Sequence, residues 1–260
     1  MSGDLVTQLR ARGAIFAALV AMILAPSAQA VSGNNVTEEF HKTVPLNATG
    51  RVSLENINGS VEITGWDRNE VQIDAVKSAR DQQRLDEARI EVEGSGDSVH
   101  IRTRYPDGRT NNNPASVSYT LHVPTGAQLD DINLVNGNLE VSQVLGEVDA
   151  NLVNGKLTAH DLSRRAKLST VNGSSTVEFR TLANVSDIHI KAVNGSINLL
   201  LPAAPNATVT ASTVNGSIKT DFPIQVESGF TGRRLSGTLG SGGTRIELSN
   251  VNGSTHIGQM

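Results

Sequence analysis

The chain has no cysteine. No disulfide can staple it, and no thiolate can serve as nucleophile, metal ligand or lipid carrier, so the sequence excludes a lipoprotein. Aromatic residues are scarce: one Trp, two Tyr and five Phe in 260 residues. A β-sandwich core usually recruits more of them, and a sugar site usually presents aromatic faces. Beyond the first thirty residues no apolar run approaches the ~20 residues of a membrane-spanning helix. A basic excess is also missing. The formal charge is −4, and without residues 1–30, which hold Arg10, Arg12 and Asp4, it is 20 − 25 = −5. That balance argues against nucleic acid and against anionic lipid as electrostatic partners.

What is present begins with residues 1–30, which have the form of a signal peptide. Arg10 and Arg12 make a basic start, Ala14 to Ala25 an apolar stretch, and Ala28-Gln29-Ala30 a small-residue cleavage site. The expected mature chain is exported, soluble and without a transmembrane span, in the periplasm or at the surface of a bacterium.

Seven Asn-Gly dipeptides dominate the remainder: Asn58-Gly59, Asn136-Gly137, Asn154-Gly155, Asn172-Gly173, Asn194-Gly195, Asn215-Gly216 and Asn252-Gly253. Chance would supply roughly two, so they mark an internal repeat. A β-branched residue precedes each one, from Ile57 and Val135 to Val251. From Asn136 to Asn215 the steps are 18, 18, 22 and 21 residues. The next step is 37 residues, with Ser236-Gly237 near its middle as a degenerate copy. Positions two and four before each Asn, and three and five after it, are mostly apolar, as in Ile132, Leu134, Leu139 and Val141. Each unit therefore reads as two half-buried strands meeting at Asn-Gly. Residues two before and three after share a face. A type I′ hairpin does this, with φ > 0 at both central residues, and so does a sharp solenoid corner with stacked Asn side chains. The small inward residues favour a β-solenoid, a parallel β-helix-like fold, over an antiparallel hairpin meander or a sandwich.

The boundaries follow: residues 31–128 form a β-rich N-terminal part that holds the first repeat-like turn, and 129–260 the Val-Asn-Gly repeat region, together one continuous domain over 44–258. Residues 31–42 read as a flexible polar start, 79–89 as a short helix or loop, and Gly94 to Asp97 as a hairpin turn between Ile90, Val92 and Val99, Ile101. Residues 106–114 read as a loop.

The run Leu-His-Val-Pro-Thr-Gly-Ala-Gln-Leu (121–129), followed by serial Val-Asn-Gly units, resembles the bacterial putative-adhesin family of β-strand-repeat proteins. The resemblance spans residues 44–258. It implies a β-helix-like fold, an exported or envelope-associated location and no catalytic residues.

Few residues of the chain carry a chemical signature. Asp130 and Asp131 are adjacent, so on a regular strand they face opposite ways and cannot act as a pair on one substrate; they read as solvated loop acids before the first repeat. The histidines His41, His100, His122, His160, His189 and His256 are dispersed; His100 and His122 alone could meet across a hairpin. Gly240-Ser241-Gly242-Gly243 reads as a β-turn, since no helix follows to cradle phosphate. The Asn-Gly residues are structural turns. Arg164-Arg165 and Arg233-Arg234 read as unit-edge charges that deter aggregation. Asn-x-Ser/Thr triplets occur, five of them by-products of the repeated Asn-Gly-Ser, and glycosylation is not expected. Trp66 and Tyr105 are the candidate ligand contacts, while Tyr119 lies on an apolar face as core. No catalytic, cofactor or metal site is expected. The reading is a non-enzymatic envelope or extracellular scaffold with adhesin-like binding. Envelope polysaccharide or a surface protein is its partner class, and self-association could use an open C-terminal ladder edge after Asn252-Gly253. The alternatives are a polysaccharide-acting β-helix enzyme and an envelope-stress sensing component.

Overall fold

The computed structural model describes residues 35–106, 114–224, 226–228 and 232–260. The expected signal peptide over 1–30 and most of the loop over 106–114 lie outside the described residues.

The chain folds as a two-faced parallel β-solenoid. Strands β1 (Val36–Asn58) and β2 (Val61–Trp66) meet at the first Asn-Gly corner. They are followed by β3 (Glu70–Ala79), a short helix α1 (Gln82–Glu87), β4 (Arg89–Arg104) and β5 (Ser116–Pro124). Four further corners join β6 (Gln128–Asn136) to β7 (Leu139–Ser142), β8 (Val148–Asn154) to β9 (Leu157–His160), β10 (Ala166–Asn172) to β11 (Ser175–Glu178), and β12 (Asp187–Asn194) to β13 (Ile197–Leu201). Strand β14 (Ala207–Thr220) contains a corner of its own. After it come β15 (Val226–Ser228), β16 (Arg233–Leu239) and β17 (Thr244–Gln259), the last again with an internal corner.

Parallel pairing puts every corner in one register. Asn58 sits beside Asn136, then Asn154, Asn172, Asn194, Asn252 and finally Asn215. The hairpin alternative fails on backbone grounds. A type I′ turn needs φ > 0 at Asn as well as Gly, and the corner asparagines are not among the residues with positive φ. Glycine alone takes the unusual conformation, with φ between 118° and 157° at six of the seven corners. Its second reason is proximity: a methyl on Gly155 would run into the backbone carbonyl of Gly137, one rung below.

The core lies between the two faces and is built from Leu, Ile, Val and Ala. Leu134, Leu139, Leu152, Leu157, Leu168 and Leu199 are each at most 2% exposed. Each rung alone could not bury these side chains; stacking closes them against the next rung. Among the described residues, Phe179 is the one aromatic of the largest fully buried side chains.

Four expectations are corrected by the structure. The C-terminal copy is not an open edge: β17 lies between β12/β13 and β14, paired in parallel on both sides. Ser236-Gly237 is not a degenerate rung but part of β16, which runs antiparallel to β14. Residues 36–42 are not a loose start; they pair antiparallel with β3, from Val36 opposite Ala79 to Lys42 opposite Ile73. Asp130 and Asp131 do not alternate, because Asp131 adopts φ 59° where the register slips, and both are exposed. The short helix appears as α1, and Gly94 and Gly96, both at positive φ, turn β4 back so that Arg104 reaches Glu91 at 2.8 Å.

Candidate functional site

The most regular surface is the Asn-Gly corner. Each Asn donates through Nδ2 to the Oδ1 of the preceding rung: Asn136 to Asn58 (2.9 Å), Asn154 to Asn136 (2.7 Å), Asn172 to Asn154 (2.9 Å), Asn194 to Asn172 (3.0 Å), Asn252 to Asn194 (2.8 Å) and Asn215 to Asn252 (3.0 Å). Seven side chains form one unbroken amide ladder. The backbone runs parallel to it, with Gly137 N–H donating to the Asn154 carbonyl and Gly155 N–H to that of Asn172. An amide has two N–H groups and two lone pairs. An interior ladder amide therefore keeps one of each for another partner.

The first corner is anchored from inside. Buried Asn56 donates to the Val117 carbonyl (2.8 Å) and accepts from Thr103 Oγ1 (2.9 Å), which in turn lies 2.6 Å from the Tyr119 hydroxyl. Tyr105 donates to the Ala115 carbonyl (2.9 Å) and bonds to the Asn58 side chain at the start of the ladder. Burial pushes both phenols up to about 12.

Beside the amides runs a row of exposed aliphatic side chains, one per rung: Ile57, Val135, Val153, Val171, Val193, Val251 and Val214, each 37–55% exposed. The next outward column, three residues before each Asn, is Glu55, Asn133, Asn151, Ser169, Lys191, Ser249 and Ser212. Asn151 donates to Asn133 there (3.0 Å), a second short ladder. On the other side of the corner stand Ser60, Asn138, Lys156, Ser174, Ser196, Ser254 and Ser217. These four columns hold 28 residues, of which only Glu55, Lys156 and Lys191 are charged. Glu55 is neutralised by Arg102 at 2.8 Å, whose hydrogen bond holds the carboxyl below its ordinary range. A groove of about 350 Å³ follows the aliphatic row over the first three rungs, lined by Ile57, Val135, Val153, Asn133, Asn151 and Thr103, among others.

Charge is concentrated away from the corner, and there it pairs between rungs: Lys167 with Asp149 (2.7 Å) and Arg165 with Glu147 (2.9 Å); His160 lies within hydrogen-bond distance of Glu178 (3.3 Å). The histidines do not converge. His100 lies 2.6 Å from Ser53 Oγ, His122 stacks on Trp66 at 5.3 Å, and His256 faces Asn198 and Asp221. Among the described residues no group of three or more His, Asp or Glu could hold a metal ion. The loop at Gly240–Gly243 is a turn between β16 and β17, tied by Asn206 Oδ1 to the Ser241 N–H at 3.0 Å.

The two aromatic candidates are engaged within the chain. Trp66 contacts His122 and Arg68, whose guanidinium is 4.8 Å over the ring, and its Nε1 donates to the Glu70 carbonyl (2.9 Å). Tyr105 is held at the ladder's start. The exposed aliphatic row is what sequence reasoning missed as a surface. Its signal was visible: an apolar residue at an outward-facing position in every copy.

The fold and corner define a class, the parallel β-solenoid built of Asn-Gly rungs. The resemblance to the putative-adhesin repeat family holds: residues 147–258, from β8 almost to the end of β17, match the model of the Toastrack DUF4097 family. Among solved structures, the chain is similar to a putative cell adhesion protein from Clostridium sporogenes, with TM-score 0.48 and 15% identity over 86% of this chain and 100% of that one. It is also similar to a putative adhesin from Bacteroides fragilis (TM-score 0.36, 10% identity, 86% and 97% covered) and a putative lipid binding protein from Parabacteroides distasonis (0.33, 13%, 88% and 97%). No curated protein matches the chain. Among the described residues no helix is long and apolar enough to cross a membrane.

Proposed function

We propose that this chain is an exported envelope or extracellular scaffold that binds its partner along the solenoid without chemical conversion. The observation that carries this reading is the corner itself: a seven-rung column of exposed aliphatic side chains beside an unbroken amide ladder. A β-branched residue at this position suits the strand and packs against its copy on the next rung; repeated on every rung it also leaves a continuous apolar row on the surface, which supports a role in contact. Export is supported by the form of residues 1–30. Envelope polysaccharide or a surface protein is the partner class.

The test is retention of residues 31–260 by separated envelope fractions: peptidoglycan, outer-membrane vesicles and purified surface polysaccharide. Saturable retention by one fraction, with that fraction unchanged in mass over hours, is expected. Release of shortened glycan would overturn the non-enzymatic reading, and retention by none would overturn the scaffold.

A further inference from the structure

We infer that the Asn-Gly corner is a track for one extended, uncharged polysaccharide chain, laid parallel to the solenoid axis. This rests on the scaffold reading above and names the ligand and the surface. Three observations point to it. The corner is apolar along its middle and largely uncharged but hydrogen-bonding on both borders, with the ladder amides on one side and Asn133, Asn151, Ser169 and Ser249 on the other. A pyranose ring has the matching layout, C–H groups on its faces and hydroxyls around its edge. The spare N–H and lone pair of each interior ladder amide would take those hydroxyls, and the Val side chains would cover the ring faces.

The second observation is charge. Two lysines, on opposite borders, and the internally paired Glu55 leave no continuous field of either sign. An anionic polymer or an anionic membrane needs one. The third is shape. The corner is about 10 Å across, the spacing of two stacked sheets, and about 29 Å long, six steps of ~4.8 Å. Roughly 300 Å² results, far below the ~800 Å² per partner of a stable protein dimer. A linear chain needs only a narrow track, and the groove beside Ile57, Val135 and Val153 gives it a seat at the first three rungs.

The experiment titrates the protein, residues 31–260, with hexamers of β-1,4-linked glucose and of β-1,4-linked N-acetylglucosamine, following the Asn side-chain amide signals by NMR. Saturable shifts in the ladder amides are expected with at least one hexamer. Val171→Lys, at an exposed site, should weaken binding tenfold or more, and Val171→Leu should bind within about twofold of the parent. Thr176→Lys, on the adjoining face, should leave binding unchanged. Three results overturn the inference: no shifts with either hexamer, shifts insensitive to Val171→Lys, or corner-dependent binding to neutral phosphatidylcholine vesicles in place of glycan. Concentration-dependent dimerisation abolished by Val171→Lys would also overturn it, in favour of a second copy. If an envelope fraction still retains the protein in those cases, the scaffold reading survives and only the assignment of ligand and track falls.

Discussion

Gly155→Ala isolates what the stacked corner demands of its glycine. Two terms add. Gly155 has φ 143°, and an L-residue forced into positive φ costs roughly 1–2 kcal/mol. Its new methyl would also meet the Gly137 carbonyl oxygen and carbon. Those are backbone atoms, so no side-chain rotation relieves the clash, and overpacking of this kind costs a further ~1–3 kcal/mol. The expected loss is about 2–5 kcal/mol. At ~2 kcal/mol per molar urea, the unfolding midpoint should fall by roughly 1–2.5 M. Gly96→Ala supplies the control. Gly96 also has positive φ, 72°, but nothing lies within 4 Å of an added methyl, so only the conformational cost of ~1–2 kcal/mol should appear. Equal midpoint shifts for the two variants in urea melts followed by circular dichroism would refute the reasoning, because the rung-to-rung contact would then contribute nothing.

Four further outcomes follow from the same geometry. Lys77→Ala should destabilise the chain by about 2–3 kcal/mol in urea melts, since the buried ammonium holds the Leu85 and Ala88 carbonyls at 3.2 Å and Glu38 at 3.0 Å. His41, hydrogen-bonded to Asp74 at 2.7 Å, has a raised pKa, and Asp74 a lowered one; the pair should therefore stabilise above the ordinary carboxylate range, fade as pH falls through the folded Asp74 pKa or rises through the folded His41 pKa, and give a pH profile that His41→Gln flattens on the alkaline side. Tyr105 and Tyr119, with phenols pushed up to about 12 by burial, should show almost no phenolate absorbance below about pH 10, where a free tyrosine is half ionised. Deamidation should be slow at the folded interior corners, where the Asn side chain and the following Gly N–H are both held by neighbouring rungs, and should accelerate in urea, as peptide mapping would show.

The sequence made the rungs legible because two signals coincided, an Asn-Gly every 18 to 22 residues and a fixed pattern of inward positions around it. It could not give the order of rungs along the axis. Spacing records neighbours in the chain, and the 37-residue step between Asn215 and Asn252 looked like two ordinary steps. In the fold that interval makes β15, β16 and a turn, and β17 then slots in beneath β14. Residues 36–42 escaped for a different reason. Most of them are exposed, so their strand carries no alternation, and only the ladder to β3 defines it. The corner was read as purely structural because Asn-Gly is demanded by the turn. The aliphatic residue before it is not, and its outward direction follows from the inward position of its neighbour two before Asn.

The solenoid is a seven-rung ladder whose C-terminal strand β17 is the sixth rung. A chain without cysteine permits a direct test by paired substitutions. Ser249 is aligned with Lys191 on one side and with Ser212 on the other, adjacent strands at ~4.8 Å, within disulfide reach. Lys191 and Ser212 are then two rungs apart, at about 10 Å, beyond that reach. Under mild oxidation, Ser249→Cys paired with Lys191→Cys, and Ser249→Cys paired with Ser212→Cys, should each cross-link readily within the monomer, while Lys191→Cys paired with Ser212→Cys should not. Efficient cross-linking of the last pair, with failure of the first two, would place β14 directly on β12 and contradict the account.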